Sequence, residues 1–412
     1  MNMMIINQAK ILLLFAAYGI AATSQDTAGI NSNYLDLTKA ETVRVLLFDT
    51  HPTNSLSAEA LESPVKIILD DFEFWIEPGQ ELIITGKQNK LEVKFDGLKT
   101  QTKSILIENW ETIIQLKTES FGTRLYKGNF QIEPRFDSAL RIINHVSLED
   151  YIASVVGSEM NFTTIEALKA QAVVSRTYAL WSIQNSPFID YDLKDFEANQ
   201  VYTGAIPLKP WYKDAAMATK GEILTWSDRL ILSTYSSTCG GQTSNNEDVW
   251  SGNSLPYLRS VADKEMCSIS PHYRWEFEIE KNELNELLKN RYGFTYNEVK
   301  LEKDYADRIT TVTFLNSNNQ SLEFSGNEFR LLINRNYTPL SIRSTRFQWN
   351  ASDESVLIKG GGLGHGVGMC QWGAKGFAQN GWNYKEILSF YFNGTNVVNF
   401  HEIESQKIAL HK

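Results

Sequence analysis

Hydrophobic positions along the chain follow two different spacings, and the change from one to the other divides it. From Glu41 to about Glu133, the runs "VRVLLFD", "VKIILDDFEFWI", "LIITG", "LEVKFDG" and "SILIENW" are short, rich in β-branched and aromatic residues, and separated by Gly, Asn and Asp. That pattern predicts strands joined by turns, hence a β-rich module over residues 41–133. Near Ser147 the spacing becomes helical. In "SLEDYIASVVGSEM" a Ser-x-x-Asp cap precedes Leu148, Tyr151, Ile152, Val155 and Val156, and Gly157 is a candidate early stop. A second helix is predicted in "TTIEALKAQAVVSRTYALWSI", opened by a Thr163–Glu166 capping box, with an Ala-rich face suited to close packing. Strands return at "GEILTW" and "RLILSTYSS". A charged helix ("KNELNELLKN") then mixes with strands ("DRITTVTFL", "SLEF") in an inserted module at about 276–350, and "NYKEILSFYF" closes the chain as a helix. The expected class is α+β.

The first residues differ in kind. Lys10 precedes an apolar run from Ile11 to about Ala22, followed by "AATS". The run is short for a membrane span and matches a signal peptide over residues 1–24, with a polar linker at 25–40. No later span is expected, so the sequence predicts an exported protein of the periplasm or cell envelope. The formal charge of −10 lacks the basic footprint of a nucleic-acid binder. Cys239, Cys267 and Cys370 are the only cysteines. An odd number allows one disulfide with a free thiol, three thiols on a metal, or unrelated buried thiols.

The most unusual stretch is "GGGLGHGVGMCQWGAKG", with glycine at every even position from Gly360 to Gly368. It contains neither the dinucleotide fingerprint nor a phosphate loop. Read at the strand period, the glycines leave one face bare, with Leu363, His365, Val367 and Met369 on the other. His365 then either packs in a core or faces a site. Upstream, Glu159 lies three helical turns beyond Leu148, on the stripe of Ile152 and Val155. It either turns to solvent or is desolvated enough to serve as a general acid.

Together, "VSLEDYIASVVGSEM", "EALKAQAVVSRTYAL", "STCGGQTSNNEDVW", "PYLRSV" and "GGGLGHGVGMCQWGAKGFAQNG" with "YKEILSFYF" resemble the SpoIID/LytB family of sporulation stage II protein D lytic transglycosylases and amidase enhancers. The resemblance runs from about residue 127 to 395 and implies a SpoIID/LytB domain over 134–400. It implies that Glu159 is the catalytic acid, cleaving MurNAc–GlcNAc bonds of peptidoglycan glycan strands to leave 1,6-anhydro ends. The other reading it implies is a non-catalytic, wall-binding enhancer of an N-acetylmuramoyl-L-alanine amidase. Ser236 stands where many members carry a histidine. Some members hold zinc, which here implies Cys239, Cys267 and Cys370 with His365 or His272 as ligands, or else a Cys239–Cys267 disulfide with Cys370 buried. Candidate substrate contacts are Arg176 (which could instead pair with Glu166 or Glu159), Ser237, Thr238, Gly240, Gly241, Thr243, His365, Gln371 and Trp372.

Overall fold

The computed structural model describes residues 41–402, apart from 110, 206–208 and 251, together with the backbone of 409–410. The expected signal peptide and linker lie outside the described residues. The architecture is α+β, as the spacing predicted.

The N-terminal strands form two antiparallel sheets whose buried faces share one core. One sheet runs in the spatial order Leu193–Lys194, Thr42–Leu47, Leu140–Ser147, Asn129–Pro134, Ile105–Glu108, Val65–Leu69, Glu73–Ile76, with only the first pair parallel. The other runs Gly122–Tyr126, Ile114–Thr118, Ser55–Ala60, Glu81–Lys87, Lys90–Phe95, Leu98–Thr102. Alternation explains both: in Val65–Leu69 the odd positions are buried and the even ones half-exposed. Leu140–Ser147 pairs on both sides within its sheet and runs directly into the first helix.

Eight helices follow among the described residues: α1 (Leu148–Glu159), α2 (Ile165–Asn185), α3 (Pro210–Ala218), α4 (Asn246–Val249), α5 (Lys281–Tyr292), α6 (Gly326–Asn336), α7 (Gln371–Gln379) and α8 (Tyr384–Tyr391). Ser147 caps α1 as expected, its Oγ accepting from the Asp150 N–H at 3.2 Å. Gly157 does not end that helix. Its bare α-carbon lets the Tyr212 ring of α3 approach, and an added Cβ would sit 3.0 Å from that ring. The Thr163–Glu166 box does not form. The helix starts one residue later, with Thr164 as N-cap making no side-chain cap bond, so Glu166 is not at the box position; its carboxylate instead accepts from Lys169 (2.7 Å) and the Tyr384 N–H (2.9 Å). Helix α2 is the central strut. Its small buried residues, Ala167, Ala170, Ala172 and Ala179, let α1, α3, α7, α8 and strand Glu222–Trp226 pack around it.

The segment near 275–360 carries its own core, built on Trp275, Leu284, Leu288, Phe314, Phe329 and Ile358. Two three-stranded sheets and helices α5 and α6 surround it. The glycine run leaves this unit. Strand Ser355–Gly360 ends where the run begins, and the expected bare-faced strand is absent. Instead Gly362, Gly364, Gly366 and Gly368 take φ values of +90°, +97°, +78° and +76°. Alternation here reflects a repeated left-handed backbone, which glycine adopts without the penalty of a side chain. The loop threads against residues 234–244, bridging Thr238 to Leu363 and Ser244 to Val367. The bare backbone meets protein on its inner side. A Cβ on Gly366 would overlap the Arg308 guanidinium, and one on Gly368 the Thr234 carbonyl.

Candidate active site

Glu159 ends α1 half-buried, with its carboxyl turned inward. Oε1 accepts from the Val201 N–H at 2.9 Å. The Tyr235 hydroxyl and the Gln371 amide also hydrogen-bond to this carboxyl. A chain of buried donors fixes the direction of the tyrosine bond. Tyr151 donates to Gln200 Oε1 (3.1 Å), and the Gln200 amide donates to the Tyr235 oxygen (3.3 Å), so Tyr235 has its own proton to give to Glu159. Burial raises the Glu159 pKa, and the three donors, which favour the charged form, oppose that rise without cancelling it. The result is a carboxyl held in one orientation with its pKa raised.

Gln371, the first residue of α7, is nearly buried and also donates to Gln171 Oε1 at 3.4 Å. One turn of α7 displays Trp372 and Lys375. The Trp372 ring stands edge-on to Phe162 at 4.8 Å, and the Lys375 ammonium lies 4.6 Å from the Phe162 ring centre and 4.5 Å from that of Trp372. An aromatic edge with a cation therefore adjoins the segment that carries Glu159. Sequence reasoning found Glu159, Gln371 and Trp372 but missed Tyr235, Gln200, Val201 and Lys375. Lys375 was legible as the i+3 neighbour of Trp372 on a helix.

Several other expected contacts have structural duties. Arg176 is fully buried and is not turned to a ligand. It pairs with Glu149 (Nε 3.0 Å, Nη2 2.6 Å), rather than with Glu166 or Glu159, and donates to the carbonyls of Glu222 and Ala216. Thr238 is buried, its hydroxyl 2.7 Å from Ser270 Oγ. Thr243 is buried and accepts from the Val261 N–H at 2.8 Å. Gly240 packs on the Gly361 backbone, and the Gly241 carbonyl accepts from the Asp263 N–H. Ser237 is half-buried, and its carbonyl accepts from the Trp372 N–H at 3.1 Å. His365 is half-buried and tied to the backbone. Its Nδ1 accepts from the Val367 N–H at 3.1 Å, its other nitrogen reaches the Tyr235 backbone, and its ring lies tilted against Trp250 at 4.9 Å. Burial, aided by Arg308, lowers its pKa to about 4 and keeps it neutral. Ser236 is nearly buried, with Gly364 against its Cβ.

The three cysteines form no disulfide in this structure, and all are buried. They converge on Asp263, and the ligand atoms of Cys239, Asp263, Cys267 and Cys370 lie within 4.8 Å of one another. His365, the ligand expected from the resemblance, is not in this set, because both its nitrogens are held by backbone. Asp263 had gone unnoticed, although it stands four residues before Cys267.

Comparison with known proteins agrees with this geometry. Residues 137–226, which contain α1, α2 and Glu159, match the Stage II sporulation protein family, SpoIID. The chain is 30% identical over 324 residues to an uncharacterized protein of Brachyspira hyodysenteriae, covering 77% of this chain and 83% of that one. It is 27% identical to the Stage II sporulation protein D of Bacillus subtilis, over 71% of this chain and 86% of that protein. It is also 27% identical to the amidase enhancer of the same organism, covering 84% of this chain but 53% of the enhancer. These matches show that the chain belongs to the SpoIID/LytB family.

Proposed function

We propose that this protein is an exported lytic transglycosylase acting on peptidoglycan glycan strands, with Glu159 as general acid and then general base. The observation that carries the reading is the Glu159 carboxyl, its pKa raised by burial and its orientation set by Val201, Tyr235 and Gln371. In the first step its proton passes to the glycosidic oxygen as the MurNAc–GlcNAc bond breaks. The resulting carboxylate then takes the proton from the C6 hydroxyl of MurNAc, whose oxygen bonds to the anomeric carbon and closes the 1,6-anhydro ring. The nucleophile belongs to the substrate, so the second carboxylate of an ordinary glycosidase is not required. Trp372 offers a stacking edge for a sugar, and Lys375 a cation for a lactyl or stem-peptide carboxylate.

A second reading is a non-catalytic enhancer of a wall amidase; the resemblance implies a histidine where this chain has Ser236, which favours it. Sacculi incubated with wild type or Glu159→Gln, each alone and with an N-acetylmuramoyl-L-alanine amidase, separate the two. The transglycosylase reading expects anhydro-ended fragments from wild type alone and none from the variant. Stimulated amidase activity with no anhydro ends from either protein would establish the enhancer instead.

A further inference from the structure

Beside the Glu159 site, and needed by no step proposed there, lies the buried group of Cys239, Asp263, Cys267 and Cys370. The chain brings it together from three places. Cys239 follows strand Tyr235–Ser236, which pairs in parallel with Met369–Cys370. Cys267 lies in a short 3-10 turn, Met266–Ile269, that begins just after Asp263, and Cys370 caps the N-terminus of the nine-residue helix α7.

The separations fit a tetrahedral cation. A zinc–sulfur bond of about 2.3 Å gives a sulfur–sulfur edge of about 3.8 Å. The Cys239 and Cys267 sulfurs are 3.6 Å apart, and Cys239 Sγ lies 3.2 Å from Asp263 Oδ2. Secondary contacts suit thiolates. Cys370 Sγ accepts from the Cys239 N–H (3.2 Å) and the Gly373 N–H (3.3 Å), and Asp263 accepts from the N–H groups of Glu265 and Cys267. Gly373 leaves room for this approach, since a Cβ there would lie 3.2 Å from Asp263 Oδ2.

Two charges point the same way. Asp263 is completely buried, and among the described residues no Lys, Arg or His forms an ion pair with it. A buried carboxylate ordinarily has a cation or a metal. Arg308 is the converse: it is almost completely buried without a carboxylate partner, its Nη2 donates to the Cys239 carbonyl at 3.1 Å, and its Nε has no acceptor. Three thiolates and a carboxylate around a divalent ion leave two negative charges, which Arg308 and the α7 N-terminus face. A Cys239–Cys267 disulfide would leave Asp263 still buried without a cation.

We propose that Cys239, Asp263, Cys267 and Cys370 form a closed structural zinc site, with Asp263 in the fourth position. All four ligands come from protein, so the role is mechanical. The site would lock strand Tyr235–Ser236 to the start of α7, and with them Tyr235 and Gln371, which hold Glu159. The proposal stands whether the protein is a transglycosylase or an enhancer.

The test uses the full chain, purified without chelator. Elemental analysis should give about one zinc per chain. Ellman's reagent should find no reactive thiol in the native protein and all three after denaturation with chelator. The cobalt-substituted protein should show thiolate-to-cobalt charge-transfer absorption, weakened in Cys267→Ser. Asp263→Asn should surrender zinc to a chromophoric chelator at least about tenfold faster, while His365→Ala should keep its zinc. A disulfide with one remaining thiol would overturn the site. So would three thiols that bind no zinc on titration, or loss of zinc on removing His365. The thiol count and cobalt spectrum of wild type decide the matter even if a variant fails to fold.

Discussion

Glu159 is costly once it has given up its proton, because burial disfavours the carboxylate, and this links its function to stability. Its folded pKa is raised above its unfolded value by burial, so between those values the folded state binds the extra proton. Stability from this group is full below the unfolded pKa and falls as pH rises through the folded one. Glu159→Gln should therefore melt higher than wild type at about pH 8, and the difference should close near about pH 4. A variant that melts lower at both values would contradict a strained, buried acid. Tyr235 should act through the same carboxyl. Its bond favours the charged form, so Tyr235→Phe should move the alkaline limb of the rate profile to higher pH, leaving the fold intact. A limb that stays in place would remove Tyr235 from the site. Arg176 makes the opposite prediction. Arg176→Met leaves Glu149 inside without its partner, which costs about 3–5 kcal/mol of stability. Calorimetry checks this, and a small loss of stability with a large rise in KM would return Arg176 to the substrate.

The glycine-rich loop concentrates its constraints in a few positions. Gly366→Ala and Gly368→Ala each combine a left-handed φ with overlap, on Arg308 and on the Thr234 carbonyl respectively, so each should destabilise by more than about 1 kcal/mol. Gly381→Ala, also at positive φ but with open space around it, should cost less. Equal melting temperatures for the three variants would refute close packing as the reason for the run. The limit of sequence reading shows here. A period of two was visible, but strand and repeated left-handed turn share that period, and only the backbone partner at 234–244 distinguishes them. Capping was legible where it was local, as at Ser147. It misled at Thr163, because the helix starts one residue later and Glu166 is not at the box position. Glu159 could be placed by helical periodicity, whereas Gln371 and Trp372 were named from their place after the glycine run and from the resemblance. Tyr235 and Asp263 could not be placed, since a two-residue strand paired with distant Met369–Cys370 brings in the one and a loop the other.

At the scale of the molecule, the arrangement explains why a chain with two cores needs its inserted unit. Arg308 from the 275–360 unit reaches the Cys239 carbonyl, Arg346 donates to the Gly240 carbonyl, and Trp275 Nε1 donates to the Gly362 carbonyl at 3.0 Å. The unit clamps the segment that runs from Tyr235 to the cysteine cluster. Among the described residues no helix is long and apolar enough to cross a membrane. Substrate contact should divide between helices. Trp372→Ala should raise KM for glycan strands with a smaller change in kcat, whereas Glu159→Gln should abolish kcat. The central claim is that Glu159 drives bond cleavage without water. Glycan strands digested in oxygen-18 water and examined by mass spectrometry test it directly. The account predicts 1,6-anhydro ends carrying no heavy oxygen, absent with Glu159→Gln; reducing ends that incorporate the label, or equal cleavage by the variant, would contradict it.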